Sequence, residues 1–328
     1  MTTFAVADEA LERLAEQLGP GVRRRELLAP YTSYRIGGPA DLFLVATRPE
    51  TVVAALRAAD TWAVPCLLIG GASNLLVADA GVAGLVVKLA LTGVRFVEDP
   101  ERPEHVTVVA AAGCQLAALA RQCAQRGLAG LVWASNVPGS VGAAVVNNAG
   151  AFGGCMADVL VRALVVDPQG RVHHYTPAEL AMQYRSTRLK AGSLRGAVLE
   201  AELALTRGDR AALLAELAAV RARRRQTQPS GFSAGSMFVN PPGDAAGRLI
   251  EAAGLKGYRC GNAQISVQHA NFFLNLGGAT ARDVYTLMRV AQDAVYARTG
   301  IWLRPEVQLV GRWDPAELAA LAGPGVGE

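Results

Sequence analysis

The chain has 328 residues, 51% of them hydrophobic and 18% charged, with 35 glycines and 16 prolines. This length and apolar content exclude a disordered chain and point to two or more lobes with substantial cores; glycine without a three-residue period excludes collagen. The net charge of +4 comes from 32 basic and 28 acidic residues and gives no reason to expect a nucleic-acid partner. Two arginine runs, 23–25 and 223–225, read as solvated helix ends or loops without interleaved aromatics. The five cysteines are odd in number and form no CxxC, as expected of a reduced, cytoplasmic chain. The four histidines make no grouping with metal-ligand spacing, so no metal is expected. No basic segment followed by an apolar run opens the chain, so no signal peptide is expected.

Residues 7–18 read as a short amphipathic helix with Leu11, Leu14, Ala15 and Leu18 on one face. A strand at 41–46 follows, then a helix at 49–59 with Pro49 near its start and Thr47 as a cap. Short apolar strands at 66–69 and 85–89 complete an α+β or α/β lobe. A second region has a strand at 106–112, a helix at 115–125 ending at Gly127, and a hairpin, 161–167 with 171–175, around Pro168-Gln169-Gly170. A strand at 197–205 follows. The third region opens with a helix at 209–225 and a polar linker at 226–230, and closes with a helix at 281–299 and a strand at 306–310. The Ala/Gly/Pro-rich tail after Trp313 is expected to fray. No charge occurs between Arg126 and Asp158, but the glycines, Pro138 and the asparagines there exclude a membrane span.

Three small-residue segments, and Tyr184-Arg185 taken with Glu306, carry candidate chemistry. In the first, an apolar strand runs into Gly70-Gly71-Ala72-Ser73-Asn74-Leu75. Glycine permits backbone N–H groups to line an anion pocket, and Ser and Asn add donors; the segment is a pyrophosphate cradle or an ordinary glycine turn. It is neither GxGxxG nor a P-loop. The second runs from Asn136 to Ala144 and on from Asn147 to Gly153, a long path open to an extended ligand or to close packing. The third, Ala234-Gly235-Ser236-Met237-Phe238, holds a serine that is an acid, a nucleophile or a turn residue, and not a GxSxG elbow. Arg185 and Glu306 matter only as a set with Ser236: a hydroxyl acid needs a cation for developing negative charge and a carboxyl group to orient or relay a proton.

In their order and spacing these segments resemble the MurB family of UDP-N-acetylenolpyruvoylglucosamine reductases over residues 28–312. The resemblance rests on Tyr31-Thr32-Ser33-Tyr34-Arg35-Ile36-Gly37-Gly38, Gly71-Ala72-Ser73-Asn74 and Pro138-Gly139-Ser140-Val141-Gly142-Ala143. It continues through Tyr184-Arg185-Ser186, Ser233 to Phe238, Asn240-Pro241, Gly247 to Gly257, His269-Ala270-Asn271-Phe272 and Pro305-Glu306-Val307.

The resemblance implies an α+β chain: a two-subdomain FAD-binding fold of the vanillyl-alcohol-oxidase (PCMH) type with a C-terminal α+β substrate-binding lobe. The divisions expected are an N-terminal extension at 1–25, FAD-binding subdomains at 26–92 and 93–207, a substrate-binding domain at 208–304, and a strand and tail at 305–328 returning to the FAD-binding part. It implies bound FAD, NADPH as cosubstrate and the enolpyruvyl ether of UDP-N-acetylglucosamine as substrate, in a monomer or weak oligomer. Ser236 matches the proton donor, with Arg185 and Glu306 as its partners. For FAD it implies Tyr34, Arg35, Ile36, Gly70, Gly71, Ala72, Ser73, Asn74, Leu75, Pro138, Gly139, Ser140, Gly142, Asn148, Gly150 and Gly153. For the sugar nucleotide it implies Tyr184, Asn240, Lys256 and Asn271.

The chain departs from the family pattern at Val239, where relatives often carry Lys, at Ala72, where a third glycine is common, and at Asn147-Asn148. Only 51 positions separate Arg185 from Ser236. That interval matches the subclass without an inserted Tyr-bearing loop.

Overall fold

The computed structural model describes residues 6–323. Helix α1 (Asp8–Leu18) turns Leu14 inward and packs on α2 (Pro49–Thr61). Strand β1 (Arg23–Leu27) runs antiparallel to β2 (Pro39–Ala46). Strand β2 pairs in parallel with β5 (Val82–Leu89), and β5 with β3 (Cys66–Ile69). The middle strands are buried on both faces, which their near-continuous apolar residues allow. The arginine run at 23–25 is this sheet's charged edge strand, not a loop or helix end; exposed charge there discourages pairing with another chain. Thr47 does not cap α2: the chain enters at Arg48 with no side-chain cap, and Pro49 starts the helix. Strand β4 (Leu75–Val77) leaves this sheet.

The second unit is an antiparallel sheet in the order β12 (Val172–Tyr175), β11 (Leu160–Val166), β13 (Ala197–Arg207), β7 (His105–Ala111), β6 (Val94–Glu98). The short β8 (Leu128–Ala129) also pairs with β13. Helix α3 (Leu116–Gln125) leads into the long charge-free stretch. That stretch forms a 3-10 turn (Val132–Asn136), helix α4 (Val141–Asn147) and the small hairpin β9 (Gly150–Ala151) and β10 (Gly154–Cys155). No described helix is long and apolar enough to cross a membrane. Leu42, Leu44 and Val87 of the first sheet share one continuous core with Val108, Ala110 and Leu203 of the second.

Helix α5 (Arg188–Ala191) precedes β13, and α6 (Arg210–Thr227) follows it. Helix α6 packs on α3 and the 3-10 turn, with Leu213 and Leu217 against Ala124 and Val132. By packing it goes with the second unit rather than with the residues after 228. The third unit comprises α7 (Ala246–Ala252), the antiparallel strands β14 (Arg259–Cys260), β15 (Ala263–Ile265) and β16 (Phe273–Asn275), and α8 (Ala281–Thr299). A Thr280–Asp283 capping box starts α8, and Gly300 in the left-handed region ends it. Strand β17 (Gln308–Val310) returns to pair in parallel with β4. The tail is no frayed end over its described part: α9 (Pro315–Ala322) follows an Asp314 cap, and the Leu321 carbonyl accepts from Gln292 Nε2 and Trp302 Nε1.

Candidate active site

A cavity of ≈ 430 Å³ lies where the three units meet, within the range of small-ligand sites. One wall is built of backbone. The turn Gly70–Asn74 after β3 presses against Pro138–Gly142, the entry to α4. A Cβ on Gly70 would sit 2.2 Å from Ser140 Oγ, and one on Gly71 2.7 Å from the Gly139 Cα. Only glycine lets the two loops cross this closely. Ser140 accepts from the Ala143 N–H at 3.4 Å, capping α4, and its own hydroxyl hydrogen is left to point elsewhere. Ser73 donates to the Pro138 carbonyl at 3.1 Å.

The opposite wall carries charge. Gln183 and Ser186 exchange backbone hydrogen bonds of 2.9 and 3.1 Å, so Tyr184 and Arg185 form the tip of a tight turn. Arg185 sits at φ +56, a conformation costing a non-glycine residue about 1–2 kcal/mol. Asn148, itself left-handed at the end of α4, donates to the Gln183 carbonyl at 2.9 Å and so fixes the turn. The Arg185 guanidinium donates from Nη2 to the Gly150 carbonyl at 3.0 Å, and its Nε lies 2.9 Å from Glu306 Oε1. That short contact is an ion pair but not an aligned hydrogen bond, because the buried Nε–H finds no acceptor along its axis. Burial pushes the Glu306 carboxyl above its usual range, and the neighbouring Arg185 and Lys190 cations pull it back.

Ser236 reaches the same cavity from the third unit. Gly235 at φ +78 turns the chain, Ser236 bridges to Phe272, and the Met237 carbonyl accepts from the Glu306 N–H at 2.8 Å. Backbone pairing therefore places Ser236 and Glu306 side by side. Glu306 is tied to the backbone wall too: Asn74 Nδ2 donates to its carbonyl at 3.0 Å, and the Gln308 N–H donates to the Asn74 carbonyl at 3.0 Å.

The structure brings Ser236, Arg185 and Glu306 to this one cavity, with Gly70, Ala72, Ser73, Asn74, Leu75, Pro138, Ser140, Gly142 and Gly150. Other expected cofactor residues stand behind the wall. Gly71 and Gly139 supply the crossing, and Asn148 braces the Arg185 turn. Tyr34 is fully buried, its hydroxyl directed at Met237 Sδ, and Ile36 joins the third unit's core. Arg35 donates to the Pro30 carbonyl and stacks near Phe232. Gly153 is a left-handed turn residue with open space around it.

None of the four expected sugar-nucleotide residues lines the cavity. Asn271 is buried, with both ends of its amide bonded to the Phe238 backbone at 2.9 and 2.8 Å; it braces the Ser236 segment. Lys256 pairs with Glu251 at 2.7 Å. Asn240 accepts from the Ala246 N–H at the start of α7, and Tyr184 is 69% exposed.

The cavity also holds residues that sequence reasoning gave no place in the site: Lys190, Arg224, Gln228, Val198 and Gln308, and with them Phe272 of the His269–Phe272 motif. Arg224 belongs to the second arginine run, yet it is half-buried, and burial alone pulls its guanidinium down from its ordinary value. Just past the end of α6, the Gln228 Oε1 is buried without a donor. Their placement, Arg224 in the last turn of α6 and Gln228 at its C-cap, is the one signal that could have shown them.

Comparison with known proteins agrees with this architecture. Residues 40–176 match the FAD binding domain family, and residues 227–310 match the family "UDP-N-acetylenolpyruvoylglucosamine reductase, C-terminal domain". The chain is 47% identical over 300 residues to UDP-N-acetylenolpyruvoylglucosamine reductase 2 of Symbiobacterium thermophilum, covering 90% of this chain and 95% of that protein. It is 43% identical over 303 residues to the reductase of Gloeobacter violaceus, covering 91% and 98%. The crystal structure of UDP-N-acetylenolpyruvylglucosamine reductase (MurB) from Thermus caldophilus superimposes with a TM-score of 0.74 at 35% identity, covering 88% of this chain and 98% of that one. An FAD-binding domain followed by that C-terminal domain, with this identity along nearly the whole chain, makes the protein a member of the UDP-N-acetylenolpyruvoylglucosamine reductase (MurB) family.

Proposed function

We propose that this chain reduces the enolpyruvyl ether of UDP-N-acetylglucosamine to UDP-N-acetylmuramate with NADPH, in peptidoglycan precursor synthesis. The observation that carries the reading is the convergence of Ser236, Arg185 and Glu306 on a cavity whose other wall is a glycine cradle. The residues present fit FAD. The crossing of Gly70-Gly71 with Gly139-Ser140 leaves room for backbone and hydroxyl donors but for no further side chain, which suits a pyrophosphate. Gly70, Ala72, Ser73, Ser140 and Gly142 would hold it. The chemistry FAD supplies when bound is hydride transfer, from NADPH to the substrate alkene.

Ser236 delivers the proton. Adding hydride to the terminal alkene carbon leaves negative charge spread from the adjacent carbon to the carboxylate, and the hydroxyl of Ser236 protonates that carbon. Serine is a weak acid, so neighbouring charge must favour the transfer. The Arg185 guanidinium lines the cavity beside Ser236, and stabilising developing charge on the substrate carboxylate there is worth several kcal/mol by comparison with oxyanion donors, about 2.7–4. Glu306, beside Ser236 and paired with Arg185, orients the donor and holds the cation. Arg224 and Gln228 are available to an anionic or donor group of a bound nucleotide, which bears on the missing cation at Val239.

The interval between Arg185 and Ser236 is filled by α5, β13 and α6, which supports the subclass without the inserted loop. Five free cysteines support a cytoplasmic setting. Exposed large apolar residues such as Leu27, Val97, Val172 and Tyr296 lie on separate elements, which supports a monomer or weak oligomer.

Ser236→Ala tests the reading. Reduction of the bound flavin by NADPH stays near wild type, while reoxidation by the enolpyruvyl sugar nucleotide slows by about 10²–10⁴-fold, as for a lost proton donor. Equal loss in both half-reactions removes Ser236 from the acid role.

A further inference from the structure

The proton-delivery set has a fourth member that none of the motifs contains. Lys190 lies on the one-turn helix α5, whose cap, Thr187, accepts from the Lys190 N–H at 3.1 Å and donates to the Val146 carbonyl at 2.6 Å. The helix is thereby pinned to α4. From it the Lys190 ammonium reaches back and donates to the Arg185 carbonyl at 2.9 Å. That carbonyl belongs to the left-handed residue at the turn's tip. The same ammonium lines the cavity, half-buried, and makes no ion pair within 4 Å among the described residues.

We propose that Lys190 is a positioning residue for proton delivery: it locks the strained turn that presents Arg185 and adds the second positive charge that Glu306 feels. Two independent observations support this. The first is geometric. A peptide held at φ +56 by a non-glycine residue relaxes unless its neighbours hold it, and the only side-chain donor on the Arg185 carbonyl among the described residues is Lys190. The second is electrostatic. The charged residues lining the cavity besides Glu306 are Arg185, Lys190 and Arg224. Of these, Arg185 from the turn and Lys190 from α5 offset the burial of Glu306, and no charged group acts on it from the Ser236 segment or from β4. Burial in turn lowers the Lys190 ammonium, and Glu306 partly restores it. Each group helps keep the other charged.

The inference rests on the proposed function for its kinetic arm and is independent of it for its spectroscopic arm. FAD-loaded wild type, Lys190→Met and Lys190→Arg are compared. In Lys190→Met, flavin content and reduction by NADPH remain as in wild type. Reoxidation by the enolpyruvyl sugar nucleotide slows about tenfold, less than the 10²–10⁴ of a group that transfers the proton itself. The acidic limb of its pH profile moves to higher pH, and Lys190→Arg brings both back toward wild type. The carboxyl band of Glu306, assigned by its absence in Glu306→Gln, is titrated by infrared difference spectroscopy in the same proteins. Its midpoint rises in Lys190→Met and returns in Lys190→Arg. An unmoved midpoint overturns the proposal, as does a uniform loss of both half-reactions with no shift in either pH profile. If wild type is not reoxidised by the sugar nucleotide, the functional reading fails, and the Glu306 titration still decides the role of Lys190.

Discussion

The two walls of the cavity are built on opposite principles. The wall at Gly70–Asn74 and Pro138–Gly142 presents backbone, and its character lies in what is missing: there is no space for a Cβ where the loops cross. The wall at Arg185, Lys190 and Glu306 acts with side chains, and its specificity lies in charges held slightly out of ideal geometry, with one guanidinium N–H left unsatisfied. The first wall is intolerant of volume and indifferent to charge. The second depends on its charges, because Arg185 and Lys190 offset the burial of Glu306. A site that must retain one ligand and turn over two others divides its labour along this line.

Arg185→Met should break the charged wall most severely. Side-chain volume is nearly kept, the turn retains its backbone bonds, and Glu306 is left half-compensated in a buried position. Flavin is retained, and reoxidation by the sugar nucleotide falls by about 10²–10³-fold, as for a lost oxyanion donor. Loss of flavin instead would mean that the two walls are not separable.

Gly71→Val tests the other wall. Its Cβ would enter the Gly139 Cα at 2.7 Å, backbone against backbone. Overpacking of this kind costs about 1–3 kcal/mol, or roughly ten- to hundredfold in flavin retention. Absorbance in the flavin band of the purified protein reads it, and a fully yellow variant would show that the crossing is not a cradle.

The smallest effect concerns the support behind Ser236. His269 is pulled below the ordinary histidine value of 6.5 by burial, and its Nδ1 accepts from the Asn271 N–H at 3.2 Å. The imidazole therefore stays neutral in the fold. Its contribution to stability is present above pH 6.5 and is lost as pH falls from there toward the depressed native value. Thermal denaturation between pH 7.5 and 5 should show a steeper fall in Tm for wild type than for His269→Gln. Parallel curves would exclude a role for this group in the acid lability of the Ser236 support.

What was readable in the sequence follows the same division. A backbone requirement maps directly onto residue type, so Gly70-Gly71 and Pro138–Gly142 stood out, and their crossing explains why glycine is needed there. The charged wall is assembled from residues 185, 190 and 306, and no local pattern reports which face of a one-turn helix such as α5 turns inward. Arg224 was hidden for a related reason: in a run of three arginines, helical phase alone decides which one is enclosed. Asn271 is ambiguous in sequence because an amide suits both ligand binding and the bracing of a buried backbone, and here Phe238 bonds to both of its ends. The C-terminal helix was signalled by Asp314-Pro315, a cap and a first-turn proline, but the surrounding Ala, Gly and Pro masked it.

The bond from Asn74 to the Glu306 carbonyl spans 232 positions, and β17 completes its pairing with β4 only beyond it. The glycine turn is thus tied down by a segment that follows all three units' helices and sheets up to α8 in the chain. Closing so long a loop carries an entropic burden that local contacts do not relieve. The first two units hold the glycine turn in outline, but the strand that fixes it comes only after the third unit. A flavin held at this turn would therefore report that the segment around Glu306 has docked on the first unit.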